Sequence, residues 1–193
     1  MFFKITYNDK KSPATAGFSL VELLVTISIV TLITAIVMIR YSSFDSSVLL
    51  NNQAYEIALD IRETQVRAIS IQARDPGTGD AFTSNYGLFY DIDEPTEYIF
   101  FQDTGSNNGK YDLGEEIETL HLDGRFIISS ITSNGSVTEN EASIIFKRPN
   151  FDAIMEDDSN NSLNSVEITV QAKRNSSSNR KVIIYSSGQV TVE

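Results

Sequence analysis

Three groups of residues have types and spacings that could do chemistry. The first is a single carboxylate. Glu22 stands inside "GFSLVELLVTISIVTLITAIVMI" (17–39), an apolar run with no sequence-local cation. A charge at the centre of a bilayer costs about 2.5–3.5 kcal/mol on insertion scales, so one that persists there has a partner or reaches the headgroups. The second is "DTGSNNGKYDLGEE" (103–116). Calcium takes six to eight oxygens, and an EF-hand-type loop supplies them from alternate Asp and Asn with a closing Glu. With Glu115 as the last ligand, Asp112, Asn108 and Gly109 fall where such a loop wants them. Asp103 is then one residue too far and Ser106 takes the next oxygen position. Asp103, Asn108, Asp112 and Glu115 are therefore candidate calcium ligands in imperfect register. A plain hairpin turn, which needs the same Gly, Asn and Asp residues, is the preferred reading. The third group is "KRNSSSNRK" (173–181), with Lys173, Arg174, Arg180 and Lys181 as candidate phosphate contacts for nucleic acid. No aromatic lies among them, and a solvated hairpin tip is preferred.

Nothing else points to catalysis. There is no G-x-S-x-G, Walker loop or H-E-x-x-H, and no Cys. His121, in "TLHLD", is the only histidine and reads as strand decoration. The expectation is a protein that is not an enzyme and has no cofactor beyond that calcium candidate.

The elements that would position these residues follow from composition and periodicity. The chain has 193 residues and a formal net charge of −11. It is long enough for one membrane segment and one domain, and its acidity makes it a poor general ligand for nucleic acid phosphates. The 22 residues from Phe18 to Ile39 would span about 33 Å as a helix, matching the ~30 Å hydrocarbon core of a bilayer. Lys4, Lys10 and Lys11 precede this run and Arg40 follows it, which predicts a cytoplasmic N-terminus. A cleaved signal peptide would have a shorter apolar core and a small-residue cleavage site; "MIRYSSF" offers none. A plain signal anchor explains the length and the lysines but not Glu22.

The stretch "AGFSLVELLVTISIVTLITAIV" resembles the N-terminus of type IV prepilins and type II secretion pseudopilins: a hydrophilic leader, then Gly17, then hydrophobic Phe18, with Glu22 at the fifth position of the mature chain. The resemblance covers about 25 residues, and "SPATA" separates Lys11 from Gly17. It implies cleavage after Gly17 by a prepilin peptidase, a membrane aspartyl protease, and N-methylation of Phe18. It also implies that Glu22 meets the Phe18 amine of a neighbouring subunit, an ion pair strong in low dielectric only when both charges are close. Losing Lys4, Lys10, Lys11 and Asp9 with the leader removes +2 and leaves −13.

Helical spacing continues past Arg40. Ala54, Ile57, Ala58, Ile61 and Ala68 fall on one face. The Ser-rich 41–47 stretch is expected to loosen the helix, and Pro76 to stop it near Asp75. From residue 85 the pattern predicts strands at "YGLFYDI", "TEYIFFQ", "EIETLHL", "RFIISSI", "ASIIFKR", "SVEITVQA", "KVIIYSS" and "QVTVE". The stretches 103–114, 132–140 and 173–181 read as hairpin loops and 149–164 as a longer acidic loop. The predicted fold is α+β: a leader (1–17), a membrane or filament-core helix (18–40), its amphipathic continuation (41–75), and an antiparallel β-sheet or β-sandwich domain (76–193).

A long helix followed only by antiparallel strands is similar to the GspH/FimT-like minor pilin branch, as are "YIFFQDTGSNNGKYDLGEEIETLHL", "ASIIFKRPN" and "KVIIYSSGQVTVE". The resemblance implies an inner-membrane, single-pass precursor that joins other pilin subunits through an assembly platform. The product is a type IV pilus or a type II secretion pseudopilus. A major pilin, a DNA-binding minor pilin of a competence system and a surface protein that never assembles stand as alternatives.

Overall fold

The computed structural model describes residues 17–70, 85–104, 108–147, 149–156 and 161–193, without the side chains of 39–45. The chain divides into two units, Met1–Ser43 and Phe44–Glu193. One helix, α1 (Leu20–Ile69), is assigned helical backbone throughout, including the Ser-rich 41–47 stretch that was expected to loosen it. Serine and threonine side chains within a helix can bond back to its carbonyls, so a Ser-rich run does not by itself end one. The predicted stop near Asp75 lies outside the described residues.

In the first unit, Leu20–Met38 has a mean hydropathy of 2.5 and none of it is buried. Its hydroxyls are satisfied along the helix itself. Thr26 Oγ1 donates to the Leu23 carbonyl (2.9 Å), and Ser28 Oγ, Thr31 Oγ1 and Thr34 Oγ1 each donate 2.8 Å to a carbonyl four residues back. A segment whose hydroxyl donors are all answered along the helix suits a medium that supplies no hydrogen bonds.

The second unit is α+β. Leu50, Ala54, Ile57, Ala58, Ile61 and Ala68 form the buried face of α1. Against this face lie two five-stranded antiparallel sheets. The first has the order β3 (Glu116–His121), β2 (Glu97–Asp103), β1 (Asn85–Asp91), β6 (Glu141–Phe146), β7 (Ala153–Met155). The second runs β10 (Val190–Val192), β9 (Asn175–Tyr185), β8 (Ser165–Ala172), β4 (Phe126–Ser133), β5 (Val137–Glu139). Period-two alternation sends Tyr86, Leu88 and Tyr90 of β1 into one core with Val166, Ile168 and Val170 of β8 and Val182 and Ile184 of β9.

The first sheet has a second covered face. Gly87, Phe101 and Ile145 lie on it, and Tyr111 from the β2–β3 connection packs on Phe89 and Phe101, with ring centroids 4.8 and 5.4 Å apart. A Cβ at Gly87 would stand 2.7 Å from the Phe101 ring and 2.8 Å from Ile145, so this close layer requires glycine.

Three loop assignments need correction. Lys173 and Arg174 alone form the turn of the 173–181 stretch. Asn175–Arg180 belong to β9, with Ser176–Ser178 bulged out where Gln171 pairs Asn179 and Ala172 pairs Asn175. Within 149–164, Ala153–Met155 form β7 on β6. Within 132–140, Val137–Glu139 form β5 on β4. In each case ladder hydrogen bonds to a neighbouring strand make a strand of a stretch too short, or too rich in Ser and Asn, to show a strand pattern.

Candidate functional site

The helix start is built by its own sequence. Ser19 precedes α1, its Oγ accepts from the Glu22 amide (3.1 Å), and its carbonyl accepts from the Leu23 amide (3.1 Å). Ser19 is thus the N-cap and Glu22 the third helical residue, the S-x-x-E spacing of a capping box. A carboxylate here also complements the helix dipole. The sequence reading missed that this spacing sets the Glu22 carboxylate in the first turn, where the helix start favours an acid, although S-x-x-E is visible in it. Phe18 is 82 % exposed. Gly17 is exposed too, and a Cβ on it would meet nothing within 4 Å. Among the described residues, nothing demands glycine at that position.

The four calcium candidates are engaged differently. Glu115 is buried, and its two carboxylate oxygens accept from the amides of Thr104 (2.8 Å) and Asp112 (3.0 Å). Asp103 is buried as well. Its Oδ2 accepts from the Gly109 amide (3.1 Å), while Oδ1 has no hydrogen-bond partner among the described residues. Asn108 donates to Asp112 Oδ2 (3.0 Å) and accepts from the Lys110 amide (2.9 Å). Gly109 and Gly114 take positive φ, of 80° and 99°. The carboxylates hold a turn that lays Tyr111 over the first sheet. Among the described residues, no three Asp, Glu, His or Cys side chains are grouped to hold one ion. Ser106 lies outside them.

The basic residues do not form one patch. Lys181 Nζ is 2.8 Å from Glu167 Oε1 across the β8–β9 pair, and its pKa is raised by that bond. Arg180, its neighbour on the strand, donates to Asn51 Oδ1 of α1 (3.3 Å). Lys173 and Arg174 stand exposed at the turn. His121 lies on β3 opposite Glu97, with Nδ1 3.1 Å from Oε2.

Two further features escaped the sequence reading. Tyr98 donates a hydrogen bond to Asp60 of α1, and Tyr90, fully buried, stacks on Tyr98 with centroids 5.1 Å apart. Burial, and then the nearby carboxylates of Glu63 and Glu118, raise the Asp60 pKa, against the lowering effect of the Tyr98 bond. Burial pushes both tyrosines well above their ordinary value. The second feature is an outward stripe on α1. Val48, Tyr55, Leu59 and Val66 are all exposed, between 42 % and 64 %. At about 100° per residue they lie within roughly 40° of one another on the helix. Their i, i+7, i+11, i+18 spacing could have revealed them.

Residues 13–38 match the family model described as the prokaryotic N-terminal methylation motif. The chain carries a type IV pilin-like N-terminus. The match contains Gly17, Phe18 and Glu22 and ends at Met38, the end of the apolar span. No curated protein and no solved structure matches the chain. The pilin-like motif implies association with a membrane and assembly with other pilin subunits.

Proposed function

We propose that this protein is a minor pilin-like subunit of the GspH/FimT-like type, made as an inner-membrane precursor with its N-terminus in the cytoplasm. A prepilin peptidase cuts between Gly17 and Phe18, Phe18 is N-methylated, and an assembly platform draws the chain into a type IV pilus or type II secretion pseudopilus. The observation that carries this reading is the coincidence of the Gly17-Phe18 junction and Glu22 with an apolar helix that has no buried residue. Gly17 supports it, because no described residue stands within 4 Å of a Cβ added there, so a glycine at this junction fits a requirement imposed by another protein. The stripe of Val48, Tyr55, Leu59 and Val66 supports packing of α1 against other subunits. Among the described residues, two antiparallel sheets follow one helix, which supports the minor-subunit branch. On this reading the chain is the substrate of a processing enzyme and not an enzyme itself. The separation of Arg180 from Lys181 makes DNA uptake the weaker role.

Glu22→Gln tests the mechanism. Glutamine serves the third position of a capping box as glutamate does, so the helix start survives while the charge is lost. Gly17→Leu should remain full length in the membrane by mass. Glu22→Gln should be cut normally yet be absent from sheared filaments when expressed with the other filament components, because a neighbour's amine would lack its counter-charge. Normal incorporation of Glu22→Gln with failure of Glu22→Ala would assign Glu22 to capping alone.

A further inference from the structure

The chain holds two Asn-Gly pairs, Asn108-Gly109 and Asn134-Gly135, and the fold treats them differently. An asparagine before glycine is open to attack on its side-chain amide by the next backbone nitrogen, because no Cβ shields that nitrogen. At Asn108 the attacking groups are tied down. The Gly109 backbone N–H donates to the buried Asp103 Oδ2 (3.1 Å), and the Asn108 side-chain amide donates to Asp112 (3.0 Å). At Asn134 the arrangement is reversed. Asn134 and Gly135 both take positive φ, of 48° and 74°, at the exposed tip of the β4–β5 hairpin, as a type I′ turn requires. The Ser136 backbone N–H closes the turn on the Ser133 carbonyl (3.1 Å), and the Gly135 N–H has no hydrogen-bond partner among the described residues. The Asn134 side chain is instead held by its oxygen. Oδ1 accepts from the backbone N–H of Asn164 (2.8 Å) and, less closely, of Ser165 (3.4 Å). The Asn134 backbone N–H donates to the Ser165 carbonyl (2.9 Å), so the turn is docked on the start of β8. A Cβ on Gly135 would meet nothing within 4 Å, which leaves the Asn134–Gly135 peptide room to rotate.

We infer that Asn134-Gly135 is a self-modification site, at which the fold promotes succinimide formation while it blocks the same reaction at Asn108-Gly109. Rotation of the peptide brings the Gly135 nitrogen onto Asn134 Cγ. That nitrogen gives its proton to water and bonds to Cγ. The displaced electron pair moves to Oδ1, where the Asn164 and Ser165 N–H groups stand as the donors of an oxyanion hole do. Collapse breaks the Cγ–Nδ2 bond, and Nδ2 leaves as ammonia after taking a proton back from water. Water then opens one of the two imide C–N bonds and leaves aspartate or isoaspartate at position 134. Either product adds a negative charge at the hairpin tip, and isoaspartate also lengthens the turn by one backbone atom. The chemistry lies wholly within the second unit and needs neither a membrane nor a filament.

The test compares the full chain in detergent micelles with synthetic peptides spanning 104–114 and 130–140. All are incubated at mildly alkaline pH, and conversion of amide to acid at each asparagine is followed by peptide-map mass spectrometry. In the folded chain Asn134 should convert several-fold faster than in its peptide, and Asn108 several-fold slower than in its own. Asn164→Pro removes the donor at 2.8 Å and should slow Asn134 by at least about tenfold, since one oxyanion-hole donor is worth that or more. Conversion of Asn134 no faster in the folded chain than in its peptide would overturn the inference and make the turn a protecting one. Equal conversion of Asn134 in the parent and in a folded Asn164→Pro chain would also overturn it, because the two backbone donors would then contribute nothing. If Asn164→Pro does not fold, the comparison of chain with peptide still decides.

Discussion

Leu20–Met38 and residues 46–69 belong to one helix and meet opposite demands. In the first stretch the apolar side chains point all round and each hydroxyl is answered within four residues. In the second they bury one face, and the polar residues find partners far along the chain. Gln65 donates to the Phe151 carbonyl (2.7 Å), Gln53 accepts from the Asp123 amide (2.9 Å), and Arg62 reaches the Val190 carbonyl (3.4 Å). Apart from the Glu22 carboxylate, a stretch whose hydroxyls bond along the helix asks little of its surroundings but apolar contact. A helix whose polar groups are answered at a distance is specified by one fold only. The difference separates a segment built to exchange neighbours, bilayer or filament, from one built to keep them.

The largest effect expected from breaking this contrast is at Ile61. It is fully buried, and Ile61→Ala should cost about 2–5 kcal/mol through lost transfer energy and the cavity left behind. Ile33→Ala, the same change at a 53 % exposed position, should leave unfolding of the β-rich unit unchanged. Denaturant melts of the two full-length variants in detergent micelles measure both. A comparable loss at Ile33 would mean that the apolar stretch contributes to the fold it precedes.

The elements carried by periodicity could be read from the sequence. The face of Ala54, Ile57, Ala58, Ile61 and Ala68 is buried, and "SVEITVQA" coincides with β8. Its alternation of apolar and polar residues comes from a single strand facing one core, which local sequence records. β5, β7 and the Asn175–Arg180 part of β9 did not show. They are three-residue strands, Val137–Glu139 and Ala153–Met155, or a run mostly of Ser and Asn, and only a neighbour's ladder makes strands of them. The charged groups were legible as types and not as partners. Nothing in "KRNSSSNRK" tells that Lys181 meets Glu167 while Arg180 turns to Asn51, because those pairings depend on strand register. Glu22 was legible as an anomaly. Its place in the first turn behind the Ser19 cap was present in the sequence as S-x-x-E and was hidden by the apolar setting.

The β2–β3 connection is the part of the β-rich unit that behaves most like the first stretch of α1, because short-range bonds close it. Glu115→Ala removes the acceptor for the Thr104 and Asp112 amides and should cost about 2–3 kcal/mol, the scale for hydrogen bonds to a charged group. If those bonds hold the loop, the loss will be the same in chelator and in millimolar calcium, and calcium will leave the melting temperature of the parent chain unmoved. A cost seen only with calcium present, with a calcium-dependent rise in the parent's melting temperature, would restore the ion as the organiser of Asp103, Asn108, Asp112 and Glu115.

The smallest effect concerns a polar partner that α1 reaches at long range. Asp60 accepts from Tyr98 on β2, beside the carboxylates of Glu63 and Glu118, and Arg67 pairs with Glu63 (2.7 Å) along the same cavity wall. Burial outweighs the tyrosine bond and raises the Asp60 pKa above 3.8. The folded state therefore favours the protonated acid. Its contribution to stability is complete below 3.8 and is lost as pH rises through the raised folded value, so near neutrality the ionised carboxylate is a cost. Asp60→Asn keeps an oxygen for the Tyr98 hydroxyl and carries no charge. It should raise stability at neutral pH by less than about 1 kcal/mol, a limit set by solvent screening of a half-exposed group, which is at most about 3 °C in melting temperature. The gain should vanish as pH falls below 3.8. Melts of the parent and the variant across that range decide the sign. A variant that is less stable than the parent at neutral pH would show that the charged Tyr98–Asp60 bond outweighs desolvation. The distant partners of α1 would then stabilise the fold as well as specify it.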